Sequence, residues 1–135
     1  SELLGGMERY YASHEEWPFT VTTTGTDPVI ITDATNPDNV GTIANILLTA
    51  EEVKAGFESR MDASDKFTIR YMPDAASDIK MYVCFTPTSQ QFKDEAVKNC
   101  SAQETLLKSI WACVADTDYS DATADAYSTE LICLP

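Results

Sequence analysis

The first 83 residues of this 135-residue chain contain no cysteine, and no Cys-x-x-Cys pair occurs anywhere. The only histidine is His14, so a zinc site would need scattered ligands, and no metal of that type is expected. Basic residues are scarce, with 9 Lys and Arg against 22 Asp and Glu, and none follows Lys108. The resulting formal charge of -13 repels phosphate backbones, so no nucleic-acid partner is expected, and an anionic membrane surface is disfavoured too. No apolar run is long enough to cross a bilayer, and the first residues carry neither the basic nor the apolar region of a secretory leader. The five glycines are scattered, so no phosphate-cradling loop forms, and Gly5-Gly6 is not a dinucleotide fingerprint. No serine has the context of a nucleophile elbow. The chain is therefore expected not to be an enzyme and to carry no organic cofactor.

What is present suits a globular domain. Hydrophobic residues make up 44% and charged residues 23%, enough to bury a core. The length corresponds to one domain over residues 1–135. The four cysteines, Cys84, Cys100, Cys113 and Cys133, are even in number and lack metal spacing. They predict two disulfides in an exported domain. Three pairings are possible. Sequence order favours Cys84–Cys100 and Cys113–Cys133, each closing a loop worth about 3 kcal/mol.

Residues 1–16 predict an amphipathic helix, with Leu3, Leu4, Met7, Tyr10 and Tyr11 on one stripe. Gly5 and Gly6 are each expected to weaken it by about 1 kcal/mol. An apolar stripe that begins without a cap is expected to continue from a longer helix. Pro18 ends it and leaves Trp17 extended. Residues 19–48, rich in Thr, Asp, Asn and Pro, predict a long surface excursion with short ordered pieces at Val29–Ile31 and Ile43–Leu48. Thr49-Ala-Glu-Glu52 has the form of a capping box, with Val53, Phe57 and Met61 as the buried face of a short helix behind it. In Lys66–Met72 and Asp78–Thr86 apolar and polar residues alternate, which predicts an antiparallel hairpin with one apolar face and Cys84 on the other. Thr88–Gln91 and Ser101–Glu104 each predict a helix cap, with Phe92, Ala96 and Cys100 sharing a helical face. Leu106–Val114 suits helix or strand, and a helical turn followed by a strand near Ser109–Ala115 is preferred. Residues 116–128 read as a polar loop, and Ser128–Leu134 as a last strand with Ile132 and Leu134 inward. The sum is an α+β fold: an N-terminal helix across an antiparallel sheet of about four strands.

The stretch from Met7 to Pro18, Met-Glu-Arg-Tyr-Tyr-Ala-Ser-His-Glu-Glu-Trp-Pro, resembles the end of the long first helix of bacterial type IV pilins. Members often carry Met-Glu-x-Tyr-Tyr, a short polar turn and an aromatic–proline pair. Met7, Glu8, Tyr10 and Tyr11 match, with Trp17-Pro18 at the pair. Phe67–Met72 before Pro73 is similar to the first sheet strand of that family. Cys133 near the chain end is similar to the close of its disulfide-bounded C-terminal loop. The family's peptidase cleavage site, N-terminal phenylalanine, acidic fifth residue and apolar half-helix do not occur in this sequence.

The resemblance implies a structural subunit of a type IV pilus, exported across the inner membrane and displayed on the cell surface in attachment or motility. It implies that residues 1–16 are the remnant of a longer helix, 19–65 the αβ-loop region, and 66–135 the sheet and C-terminal loop. It also implies partners: other pilin subunits through the missing half-helix, and the pilus assembly machinery. Membrane contact would pass only through that missing segment. An alternative within the resemblance is a minor pilin or a type II secretion pseudopilin acting as a ligand-presenting or calcium-binding module.

His14, among Ser13, Glu15 and Glu16, reads as a solvent-facing residue rather than a general base. The spacing of Tyr10, Tyr11, Trp17, Tyr71, Tyr82 and Trp111 places most aromatics in a core, leaving Tyr119 and Tyr127 as exposed candidates. Asp116, Asp118, Asp121 and Asp125 form the one constellation with metal-like spacing. Calcium takes several oxygen ligands from a flexible loop, though the EF-hand glycine and terminal glutamate are absent. A solvated acidic loop is the competing reading.

Overall fold

The computed structural model describes residues 2–57, 67–87, 89–102, 110–113 and 131–134. Helix α1 runs Glu2–His14. Its stripe is partly as expected: Leu3, Leu4 and Met7 are buried, while Tyr10 and Tyr11 are half-buried. Glu8, Arg9, Ala12 and Ser13 face solvent. Gly6 corrects the sequence reading. A Cβ there would lie 2.9 Å from Val53 Cγ1 and 3.4 Å from the Glu52 carbonyl oxygen, so glycine permits the close approach of α1 to the 52–53 turn. The helix closes through Glu15, at φ 59°, whose N–H donates to the Tyr11 carbonyl at 2.8 Å. This is the left-handed helix ending, made without glycine.

Beyond it, Pro18 and Phe19 are buried, and the Phe19 ring lies 6.1 Å from that of Tyr71. Residues 19–48 contain ordered pieces at both expected places, a strand over Val29–Ile31 and, around Ile43–Leu48, a helix longer than expected. Strand β1, Val29–Ile31, pairs antiparallel with β2, Phe67–Tyr71, in the register Val29↔Tyr71, Ile30↔Arg70, Ile31↔Ile69. Helix α2, Val40–Thr49, buries Val40, Ile43, Ala44 and Leu47. Asn39 caps it, accepting from Thr42 N at 2.8 Å and Thr42 Oγ at 3.0 Å. Thr49 is the last residue of α2, not the cap of a following helix. Glu51 N donates to Leu48 O and Glu52 N to Leu47 O, with Glu51 at φ 60°, which is a Schellman ending. Val53 and Phe57 are buried as expected; Met61 lies outside the described residues.

The expected hairpin appears as β2 and β3, Tyr82–Phe85, with Ile79 and Met81 buried ahead of β3. Ile69 and Tyr71 are buried between half-buried Thr68 and Arg70, the alternation that the sequence predicts. Tyr82 and Cys84 are buried as well, so β3 is covered on both faces rather than one. Helix α3, Gln90–Ala102, starts from Ser89, whose Oγ accepts from Phe92 N at 3.2 Å. Ser101 lies within this helix, while Thr88 and Glu104 of the two expected caps lie outside the described residues. Residues 110–113 form no strand: Ile110 is helical and Trp111 and Ala112 form a turn, with Ala112 at φ 57°, while Ser109, Val114 and Ala115 lie outside the described residues. Strand β4, Ile132–Leu134, buries Ile132 and Cys133 but leaves Leu134 exposed, against expectation. The four strands form an antiparallel sheet in the order β1-β2-β3-β4. Among the described residues Val29–Ile31 supplies one of the four strands.

The chain divides into two compact units, Ser1–Val83 and Cys84–Leu134. In the first, α1 packs on α2 and α2 on β2. One apolar cluster joins them, with Met7, Ile43, Leu47, Ile69, Tyr71 and Val83 at its centre. In the second, α3 packs on β4, and Leu131 N donates to Trp111 O at 3.0 Å.

All four cysteines are bonded, but not in sequence order: the pairs are Cys84–Cys133 and Cys100–Cys113. The expected Cys84–Cys100 and Cys113–Cys133 bonds are not formed. Cys84 and Cys133 sit on adjacent strands, which brings their Cα atoms to 4.0 Å, and Cys100 near the end of α3 is left for Cys113. Spatial neighbourhood in the sheet overrides sequence proximity.

Candidate functional site

The C-terminal end of α1 gathers polar and aromatic side chains. The Tyr10 and His14 rings stack at 3.9 Å with 10° between planes. This is the one-turn spacing of residues i and i+4 on a helix. His14 Nδ1 lies 3.1 Å from the Tyr10 carbonyl oxygen and 3.0 Å from Ser13 Oγ, and the residue is exposed as expected. Tyr11 packs on Trp17 at 4.8 Å, and Trp17 Nε1 donates to the Ala76 carbonyl at 3.1 Å. That bond ties the chain just after α1 to the connection between β2 and β3.

Two shallow depressions flank α1. One, of about 400 Å³, is lined by Tyr10, His14, Asn45, Ile46, Thr49 and Ala50. The other, of about 480 Å³, is lined by Glu2, Arg9, Glu51, Glu52, Val53 and Lys54. There Arg9 Nε stands 3.4 Å from Glu52 Oε2, Arg9 Nη2 also donates to the Glu52 carbonyl, and Glu2 Oε1 accepts from Lys54 N at 3.4 Å. Arg9 is 57% exposed, so the ion pair is worth about 0–1 kcal/mol and serves to hold α1 against the 51–54 turn. Neither depression contains a nucleophile held by a base.

Among the described residues, Arg70 is the group whose pKa is displaced. Half-burial lowers its guanidinium from the usual value, and its Nε donates to Thr68 Oγ at 3.1 Å on the same strand. It stands opposite Ile30 on β1. Among the described residues no group of His, Cys, Asp or Glu could hold a metal ion. Asp116, Asp118, Asp121 and Asp125 lie outside the described residues, as do Tyr119 and Tyr127.

One pattern was overlooked in the sequence. Asn99-Cys100-Ser101 has the Asn-x-Ser form of an N-glycosylation acceptor. It lies inside α3, with Cys100 buried and bonded to Cys113. Such a site needs a surface loop, so this triplet is a poor acceptor once the domain has folded.

Compared with protein families, curated proteins and solved structures, the chain matches none.

Proposed function

We propose that this chain is the globular domain of a type IV pilin, a structural subunit of a pilus filament that serves attachment or motility. The observation that carries the reading is α1. Its Leu3, Leu4 and Met7 are buried in the core of the first unit, its other face is solvated, its last turns carry Tyr10-Tyr11, and the Trp17-Pro18 pair of the resemblance follows it. The α+β plan and the two disulfides are compatible with it. The disulfides also point to a non-cytoplasmic compartment. In this reading the partners are other pilin subunits and the assembly machinery, and the protein performs no catalysis.

The test is immunogold labelling of intact cells of the source organism, with a gene deletion as control. Continuous labelling along surface filaments, and loss of the filaments on deletion, is the expected result. Labelling at rare points or tips moves the assignment to a minor pilin or pseudopilin. Absence from every filament, with a free periplasmic or secreted protein instead, overturns it.

A further inference from the structure

We infer that the outer edge of strand β1 is a docking site for an extended peptide segment with an apolar centre and a basic residue at each end, which adds to the sheet as a further strand. The inference is independent of the filament reading. Among the described residues β1 stands first in the sheet order β1-β2-β3-β4, so only one of its sides is paired. In an antiparallel ladder, alternate residues turn their N–H and C=O away from the partner strand. Among the described residues those outward groups are unused, because Val29, Ile30 and Ile31 make no hydrogen bond beyond the ladder with β2. Such an edge is a template on which an extended peptide pairs through its main chain.

The side chains set the centre of the site. Ile30 is 41% exposed, whereas Ile31 is buried and Val29 packs against the core. Ile30 is thus the apolar contact that an incoming strand meets. Lysines, inward charges and bulges blunt many sheet edges, but β1 carries no charge and its register with β2 is unbroken. The strand is also held in place at its far end. Thr32 N donates to Thr35 Oγ at 2.8 Å, and Thr32 O accepts from Val40 N at 3.1 Å. The edge therefore needs no ordering when a partner arrives, which lowers the cost of binding.

Charge selects the occupant. Exposed Asp27 and Asp33 stand three residues before and three after Ile30. No Lys or Arg occurs from Tyr10 to Val53. The basic residue nearest by register is Arg70, which lies opposite Ile30 on the inner side and whose Nε is turned to Thr68 Oγ. A segment with Lys or Arg at both ends of an apolar residue therefore matches the edge. A second copy of this chain does not. Antiparallel pairing centred on Ile30 would set Asp27 of each copy against Asp33 of the other, and parallel pairing would set each aspartate against itself. Like charges directly opposite are destabilising, and each copy carries a formal charge of -13.

The experiment titrates the full 135-residue chain, labelled with nitrogen-15, with the end-blocked peptide Lys-Thr-Thr-Ile-Thr-Thr-Lys and with the same peptide carrying Glu at both ends. Two-dimensional amide spectra and hydrogen exchange are the readouts. The expected result is saturable shifts over residues 28–32 and 69–71, slower exchange of the β1 amides, and binding of the Glu-ended peptide weaker by about tenfold, since two favourable charge pairs become repulsive. Asp27→Lys/Asp33→Lys should reverse the preference between the two peptides. Both positions are exposed, and near-ultraviolet circular dichroism verifies the fold of the variant. Shifts that leave β1 untouched, equal binding of the two peptides, or an unchanged preference in the variant overturns the proposal. So does sedimentation that shows the free chain pairing with itself through β1.

Discussion

The two units of this chain hold themselves together differently. Residues up to Val83 contain no cysteine and rely on packing: Met7, Ile43, Leu47, Ile69 and Tyr71 are almost wholly withdrawn from water. From Cys84 onward, the described residues bury fewer large side chains, the first turns of α3 from Gln90 to Glu95 are all exposed, and both disulfides lie here. A disulfide stabilises by restricting the unfolded state, and does so most when it spans many residues. The contrast is one of entropy against hydrophobic burial within a single chain.

The sharpest way to break that contrast is to remove the links one at a time. Cys84–Cys133 spans 49 residues, for which loop-closure entropy gives about 4 kcal/mol. Cys100–Cys113 spans 13 and gives about 3 kcal/mol. Urea denaturation of Cys84→Ser/Cys133→Ser should thus show the larger loss. Equal losses, or the reverse order, would mean that burial outweighs entropy in the second unit as well. Next in size, Met7→Ala in the first unit should cost about 2–5 kcal/mol, since the side chain is fully buried. Phe92→Ala in the second should stay within about 0.5 kcal/mol, because Phe92 is 46% exposed. Comparable losses in the two variants would show that Phe92 is covered in solution.

Smaller effects separate positions that look alike in sequence. Gly6→Ala should destabilise by about 1 kcal/mol, overpacking against Val53 exceeding the gain in helix propensity. Gly5→Ala meets only the flexible end of Arg9 and should stabilise by about 1 kcal/mol. Thermal melts that shift in the same direction for both would contradict the packing of α1. Smallest of all, Glu15→Gly and Glu51→Gly should each stabilise by about 0.5–1 kcal/mol, because both residues sit at positive φ where glycine is unstrained. A loss at Glu51 alone would reveal that its side chain contributes to the depression beside Arg9.

Legibility in the sequence followed the strength of the periodic signal. The stripe Leu3, Leu4, Met7 and the alternation Phe67, Ile69, Tyr71 each repeat over enough residues to name an element. Helix α2 does not, because Val40–Thr49 contains no charged residue to mark its solvent face. The cap at Asn39 was equally quiet, and Thr49-Ala-Glu-Glu52 gave a false start because a Schellman ending on Glu51 lacks the glycine that usually announces it. The disulfide pairing was illegible for a different reason. It depends on which strands become neighbours, and β4 joins β3 across a span of sequence with no local signal for that choice.

The bond from Trp17 to the Ala76 carbonyl also has an optical consequence. The chain has two tryptophans, Trp17 in the first unit and Trp111 in the second. Each unit thus carries its own intrinsic fluorophore. With Trp111 replaced by phenylalanine, the emission that remains reports on the first unit alone. A red shift of that emission marks the moment at which the indole loses its tie to residue 76 and Tyr11 moves off its ring. The complementary Trp17→Phe protein reports on the disulfide-bonded half. Superimposed unfolding curves from the two would show one cooperative transition, and separated curves two.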